Sequence, residues 1–147
     1  MSGKVFSVSL IVFCLIFGIV LFYFQLFAYY VRVDNLSYIK VNDELIPVQN
    51  YQGIDSESSA LKLRGCFTVD PNLFEKEPIA AMPTPLAAPF WFRCFDHEFL
   101  HDQIEKGNSK VYLAKENEYD GIDRLVAVFK NGTAFQWRQL NPKFADK

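Results

Sequence analysis

Charge is missing from a long stretch of this chain: no Asp, Glu, Lys, Arg or His falls between Lys4 and Arg32. A helix that lacks any charged face has no reason to lie in water. Basic excess is missing too. The net charge is −2 and no basic stripe exists, which argues against DNA or RNA as a partner. There is no G-x-S-x-G elbow, no Walker loop and no dinucleotide fingerprint, so those hydrolase, nucleotidase and dehydrogenase classes lose their sequence support. Cysteines number three, none in C-x-x-C spacing, which disfavours thioredoxin-like exchange.

What fills the uncharged stretch is VFSVSLIVFCLIFGIVLFYFQLFA. About 24 residues at about 1.5 Å each reach roughly 36 Å, enough to cross a hydrocarbon core of about 30 Å with some tilt. A cleaved signal has a shorter apolar region and a small-residue cleavage site, and QLFAYYV has no A-x-A pattern. A lipoprotein signal needs a small residue before its cysteine, whereas Phe13 precedes Cys14. The reading is therefore an uncleaved spanning helix over residues 5–31, with 1–4 as a cytoplasmic tail. Tyr23, Tyr29 and Tyr30 suit the far interface, where aromatic rings meet headgroups. Charges flanking the span are nearly balanced and do not set its orientation. Cys66 and Cys94 do more: a cysteine pair in a small exported domain favours a disulfide. That places residues 32–147 in the periplasm and the chain in the inner membrane.

The remaining residues, about 116, make one domain by size. YIKVNDELIPV reads as a hairpin turning at Asn42-Asp43, with Pro47 at an edge. QGIDSESS reads as a polar loop, and ALKLRGCFTV as a strand with Leu61, Leu63 and Phe67 inside and a bulge at Gly65. Residues 70–89 hold five of the seven prolines, Pro71, Pro78, Pro83, Pro85 and Pro89, too many for a helix or central strand. A loop that long is functional or disordered. A Cys66–Cys94 bond would tie it to the body and contribute roughly 3–4 kcal/mol in the chain-entropy model. Ile79, Met82 and Leu86 could then lie on its surface, and Phe90 and Trp91 follow as aromatic anchors for a protein partner. Asp96 is an N-cap and Gly107 a stop for a short helix, Asp96–Lys106, burying Phe99, Leu100 and Ile104. VYLAKE, RLVAVFK and TAFQWRQ are the last strands. A two-residue Asn131-Gly132 turn would put Val126 and Val128 opposite Trp137 and Phe135 on the core face, leaving Leu125 and Ala127 half exposed. Tyr51–Asp55 and Tyr119–Asp123 share the pattern Y-x-G-I-D, which suggests one turn used twice.

The sharpest chemical motif is His97-Glu98-Phe99-Leu100-His101, a literal H-E-x-x-H. On a helix it sets two imidazoles one turn apart to hold zinc, with Glu98 as general base. A third ligand would come from Glu116, Glu118, Asp120 or Asp123. Against it, His97 is the first helical residue, where ends fray, and Phe99 and Leu100 claim the core-facing side. The motif is then a solvated first turn, and zinc hydrolysis is the alternative. Cys66 or Cys94 as a nucleophile with His97 as base is weaker than the disulfide. Asp55, Asp120 and Asp123 as a cation site fit no known loop and are explained as turn residues.

GIDSESSALKLRGCF, TPLAAPFWFRCFD and YDGIDRLVAVFKNGTAFQW, after an MSGK start and one apolar helix, resemble an uncharacterised family of single-pass membrane proteins from alphaproteobacteria. Some members of that family carry a histidine-kinase label; this chain has no ATP-binding boxes and too few residues for a kinase core. The resemblance implies location and architecture and no reaction. The expectation is an α+β protein: a spanning helix, then a mainly antiparallel sheet of five or six strands with one short helix. Its expected role is that of a non-enzymatic accessory or interaction protein whose partners are the bilayer and a membrane or periplasmic protein, with no cofactor unless zinc.

Overall fold

The computed structural model describes residues 2–142; residues 1 and 143–147 of the expected tail and domain lie outside the described residues. Helix α1 spans Gly3–Leu26, is capped by Ser2 and has no buried residue. It is long and apolar enough to cross a membrane. It stops five residues short of the expected Val31. Tyr29 takes a left-handed backbone, φ 68°, and the chain enters strand β1, Tyr30–Asp34. A bulky residue in that region costs about 1–2 kcal/mol, so the corner must be held from elsewhere.

Strands β2 (Tyr38–Val41) and β3 (Glu44–Pro47) form the expected hairpin, a two-stranded sheet of its own. Asn42 is left-handed at the turn, as Asn-Asp allows. The main sheet contains β4 (Gln49–Ser56), β5 (Arg64–Thr68), β6 (Ser109–Tyr119), β7 (Ile122–Phe129) and β8 (Thr133–Leu140) together with β1. Its order is β1-β4-β5-β8-β7-β6, antiparallel throughout. The first five residues of the expected polar loop QGIDSESS, Gln52–Ser56, therefore belong to strand β4, and only Glu57–Ser59 lie outside it. Its polarity reflects its place between two neighbours, which satisfies its backbone, and the presence of small and polar residues along it. Residues Ala60–Lys62 are a 3-10 turn, so the expected strand begins only at Arg64.

Gly65 marks no bulge; the irregularity lies in β4 between Gln49 and Gln52. Gly65 pairs with Gly53 across the strands, and the Tyr51 ring lies over the pair. A Cβ at Gly65 would sit 2.7 Å from the Tyr51 hydroxyl and one at Gly53 2.6 Å from its ring. The two glycines make room for that ring.

The β7–β8 register is one residue off the expected one. Lys130–Gly132 form a three-residue connection with Gly132 left-handed, φ 91°, and Phe129 O accepts from Gly132 N. Leu125 faces Trp137, and Ala127 faces Phe135. Because side chains alternate, the slip reassigns both faces. Leu125, Ala127 and Trp137 belong to one core, with Ile54, Cys66, Phe92, Phe95, Leu100 and Val111. Val126 and Val128 belong to the other, with Tyr51, Phe67, Phe74, Tyr112 and the hairpin residues Ile39, Val41 and Ile46. Neither face is left half exposed. Helix α2, His97–Glu105, has Asp96 as its cap, accepting from Glu98 N and Phe99 N at 3.1 Å. Leu100 is buried, but Phe99 is half exposed and stacks on Phe129. The two Y-x-G-I-D segments differ in structure: one runs along β4, the other turns between β6 and β7.

Candidate binding surface

Residues 70–96 form a strap that crosses the sheet from edge to edge. Its first attachment is Asp70, which caps a 3-10 turn, Pro71–Phe74, that drives Phe74 into the first core. Proline at that turn's start lacks only a donor that would have no partner. Glu77 then accepts from Asn42 Nδ2 at 2.6 Å. Next the strap pairs with the outer edge of β6: Leu113 N donates to Pro78 O at 2.8 Å, and Ala80 N donates to Val111 O at 2.9 Å. Ile79 thus bridges Tyr112. An edge strand is a template for unwanted pairing, and this short addition covers it.

Beyond the edge, Gln139 on β8 grips the strap twice, accepting from Thr84 N at 2.7 Å and donating to Met82 O at 2.9 Å. Arg64 on β5 holds it next. Its guanidinium is buried and donates to four backbone carbonyls, Leu61 and Leu63 on the body and Leu86 and Ala87 on the strap, at 2.6–3.1 Å. The Phe95 ring lies 5.7 Å from its charge. Burial lowers the Arg64 pKa to about 10, with Tyr30 pulling the other way. The strap ends at the Cys66–Cys94 disulfide, Cα–Cα 6.3 Å, as the sequence predicts. With both sulfurs bonded, neither is a nucleophile.

Ile79 and Met82 stand out from the strap, 62% and 75% exposed. They rim a groove of about 320 Å³ whose other walls include Leu113, Leu125, Gln139 and Leu140. Leu86 is half-buried, where Arg64 donates to its carbonyl and to that of Ala87. Phe90 and Trp91 are not beside Ile79 and Met82: they meet the end of α1. Trp91 Nε1 donates to Leu26 O at 2.6 Å, and its ring stacks on Phe27. Of the five residues expected to act together, Ile79 and Met82 form one surface, Phe90 and Trp91 another, and Leu86 belongs to neither.

The H-E-x-x-H residues sit in the first turns of α2. His97 is half-buried, Glu98 and His101 are exposed, and His101 Nε2 lies 3.2 Å from Glu105. Among the described residues no group of three His, Cys, Asp or Glu side chains is placed to hold a metal. Glu118, considered as a third zinc ligand, and Asp55, considered in the separate cation site, are engaged elsewhere. Arg124 and Arg138, opposite one another on β7 and β8, are both buried. Glu118 bridges them, at 3.1 Å from Arg124 Nε and 2.8 Å from Arg138 Nε. Asp55 accepts from Arg138 at 3.2 Å, and Arg124 also donates to Lys40 O and Gln136. Burial pushes the Glu118 carboxyl up, but Arg138 and Arg124 outweigh it and hold it below the usual range. Asp123 accepts from Asn117 N and Asn141 Nδ2. The two-arginine, two-carboxylate set is charge-balanced and ties β4, β6, β7, β8 and the hairpin together. Sequence reading missed it because the register error hid which side Arg124 and Arg138 share with Glu118.

Residues 33–146 match the model of a family of unknown function, DUF6446. No curated protein and no solved structure matches the chain.

Proposed function

The chain belongs to the DUF6446 family, and because that family has no known function we propose a role from its geometry: a membrane-anchored, non-enzymatic interaction module. Helix α1 holds it in the bilayer, and the strap presents Ile79 and Met82 to a protein partner. The carrying observation is the strap itself. Two exposed apolar side chains stand on a segment held at Ile79, Met82 and Thr84 by backbone pairing and by Gln139. A surface ordered before binding loses less conformational entropy on binding. Anchoring adds to this by confining the module beside other membrane proteins, which raises its effective concentration. We place the domain outside the cytoplasmic membrane, in the periplasm, because its strap depends on a disulfide that reducing compartments do not sustain.

Photo-cross-linking in intact cells tests this. A photoreactive residue at Met82 should give one discrete protein adduct that disappears with Ile79→Asp, while the same group at Glu98 or His101 should give none. An equal adduct pattern from all three positions, or none from Met82, overturns the reading.

A further inference from the structure

The end of helix α1 and the far part of the strap share one aromatic surface. Phe27 packs against both Phe90 and Trp91, at ring separations of 5.9 and 6.1 Å. Phe90 also reaches Phe22, and Trp91 meets Tyr30 edge-on at 5.5 Å. Trp91 donates its indole N–H to Leu26 O, one of the carbonyls a helix end leaves without a partner. This contact spans the left-handed corner at Tyr29 and fixes how the domain leaves the helix. Yet the outer side of the cluster is bare: Phe90 is 66% exposed, Phe22 50% and Phe27 40%.

We infer that the Phe22–Phe27–Phe90–Trp91 cluster is a bilayer seat, with the domain's own Phe90 and Trp91 lodged in the lipid interface beside the helix. This rests on the reading of α1 as a spanning helix. The occupant is lipid because the bare face is continuous with a helix none of whose residues is buried in protein. A span of 24 residues reaches about 36 Å, so its last turn lies where hydrocarbon meets headgroups, the depth at which Trp and Tyr rings concentrate. Tyr23, one turn before the helix end, and Tyr29, at the corner just after it, are both exposed. Basic side chains flank the cluster: Arg32 over the Phe92 ring, Lys62 over Tyr30, and exposed Arg93 two residues beyond Trp91. With the seat occupied, the domain is held close to the membrane at a set tilt, and the strap's apolar rim keeps a fixed height above it.

Tryptophan fluorescence in reconstituted vesicles tests the seat. The chain has two tryptophans, and Trp137 is fully buried in the domain core, so the difference between wild type and Trp91→Phe isolates Trp91. In vesicles of phosphatidylcholine and phosphatidylglycerol brominated high on the acyl chains, the Trp91 signal should fall by at least half, and aqueous iodide should leave it nearly unchanged. Phe90→Asp should cut the bromolipid quenching severalfold while the protein still resists alkaline extraction. Iodide quenching without bromolipid quenching, in protein that resists extraction, means the domain stands clear of the lipid and overturns the seat. Shielding from both quenchers means that protein, such as a second copy, covers the face, and this also overturns it. Protein released by alkaline extraction would instead remove the spanning helix on which the seat depends.

Discussion

The two faces of the main sheet are closed by different means. The first face is covered mainly by the β2–β3 hairpin, which stands next to β4 in the chain and brings Ile39, Val41 and Ile46 to the core, with Phe74 added from the start of the strap. Its polar border, Arg124, Arg138, Glu118 and Asp55, pairs charge with charge. The second face is covered by the strap and α2, which arrive from a long excursion between β5 and β6. Apart from its apolar side chains, that cover is tied by a covalent bond, by a short pairing with β6, by Gln139 and by an arginine that binds only backbone carbonyls. A neighbouring hairpin closes a face at small loop-entropy cost. A distant strap, with prolines where strands would be, needs point attachments. The exposed Ile79, Met82 and Phe90 all belong to the strap, while the hairpin exposes Tyr38 and Leu45.

Removing the disulfide should break this contrast most strongly. Replacing Cys66 and Cys94 by serine should cost roughly 3–4 kcal/mol by chain entropy, read as a lower midpoint in denaturant unfolding. Proteolysis should then cut first within residues 76–91 and spare the hairpin. Arg64→Met comes second. It removes donors to four carbonyls and should cost about 2–3 kcal/mol, with cleavage moving to residues 84–90 while the disulfide stays intact. Lys at position 64 should not rescue it, since an ammonium cannot reach four carbonyls from one plane.

The smallest effect belongs to the first face and is read through pH. Glu118 is held below its ordinary pKa, so its contribution is present above the unfolded value and is lost as pH falls through the folded one. Glu118→Gln should therefore lower the melting temperature near neutrality and narrow its gap from wild type below pH 4. A gap independent of pH would show that Glu118 acts through packing and hydrogen bonds alone.

Legibility in the sequence followed the same division. The apolar helix, the β2–β3 hairpin, the Asp96 cap and the cysteine pair depend on local patterns or on composition, and all four are present. The β7–β8 register differs from the expected one because Asn-Gly signals a two-residue turn, whereas here Gly132 closes a three-residue one, where a Cβ would collide with Val69 O. The Gln52–Ser56 part of β4 reads as a loop because its alternation is broken by a bulge and by Gly53. Arg64 gives no signal at all in one dimension: its partners are carbonyls, which every residue has. The separation of Phe90 and Trp91 from Ile79 and Met82 depends on the path of the strap over the sheet, which proline content does not encode.

The central claim is that the strap is ordered by its attachments before any partner arrives. Hydrogen exchange on the isolated, detergent-solubilised chain, with and without reductant, tests it most directly. The oxidised protein should protect the Ala80, Thr84 and Leu113 amides, whose acceptors are Val111 O, Gln139 and Pro78 O. Reduction should raise exchange at Thr84 and Ala80 at least tenfold and leave the β2–β3 hairpin unchanged. Full exchange of the Ala80 and Thr84 amides in the oxidised protein would contradict the account, because the surface at Ile79 and Met82 would then exist only once something bound it.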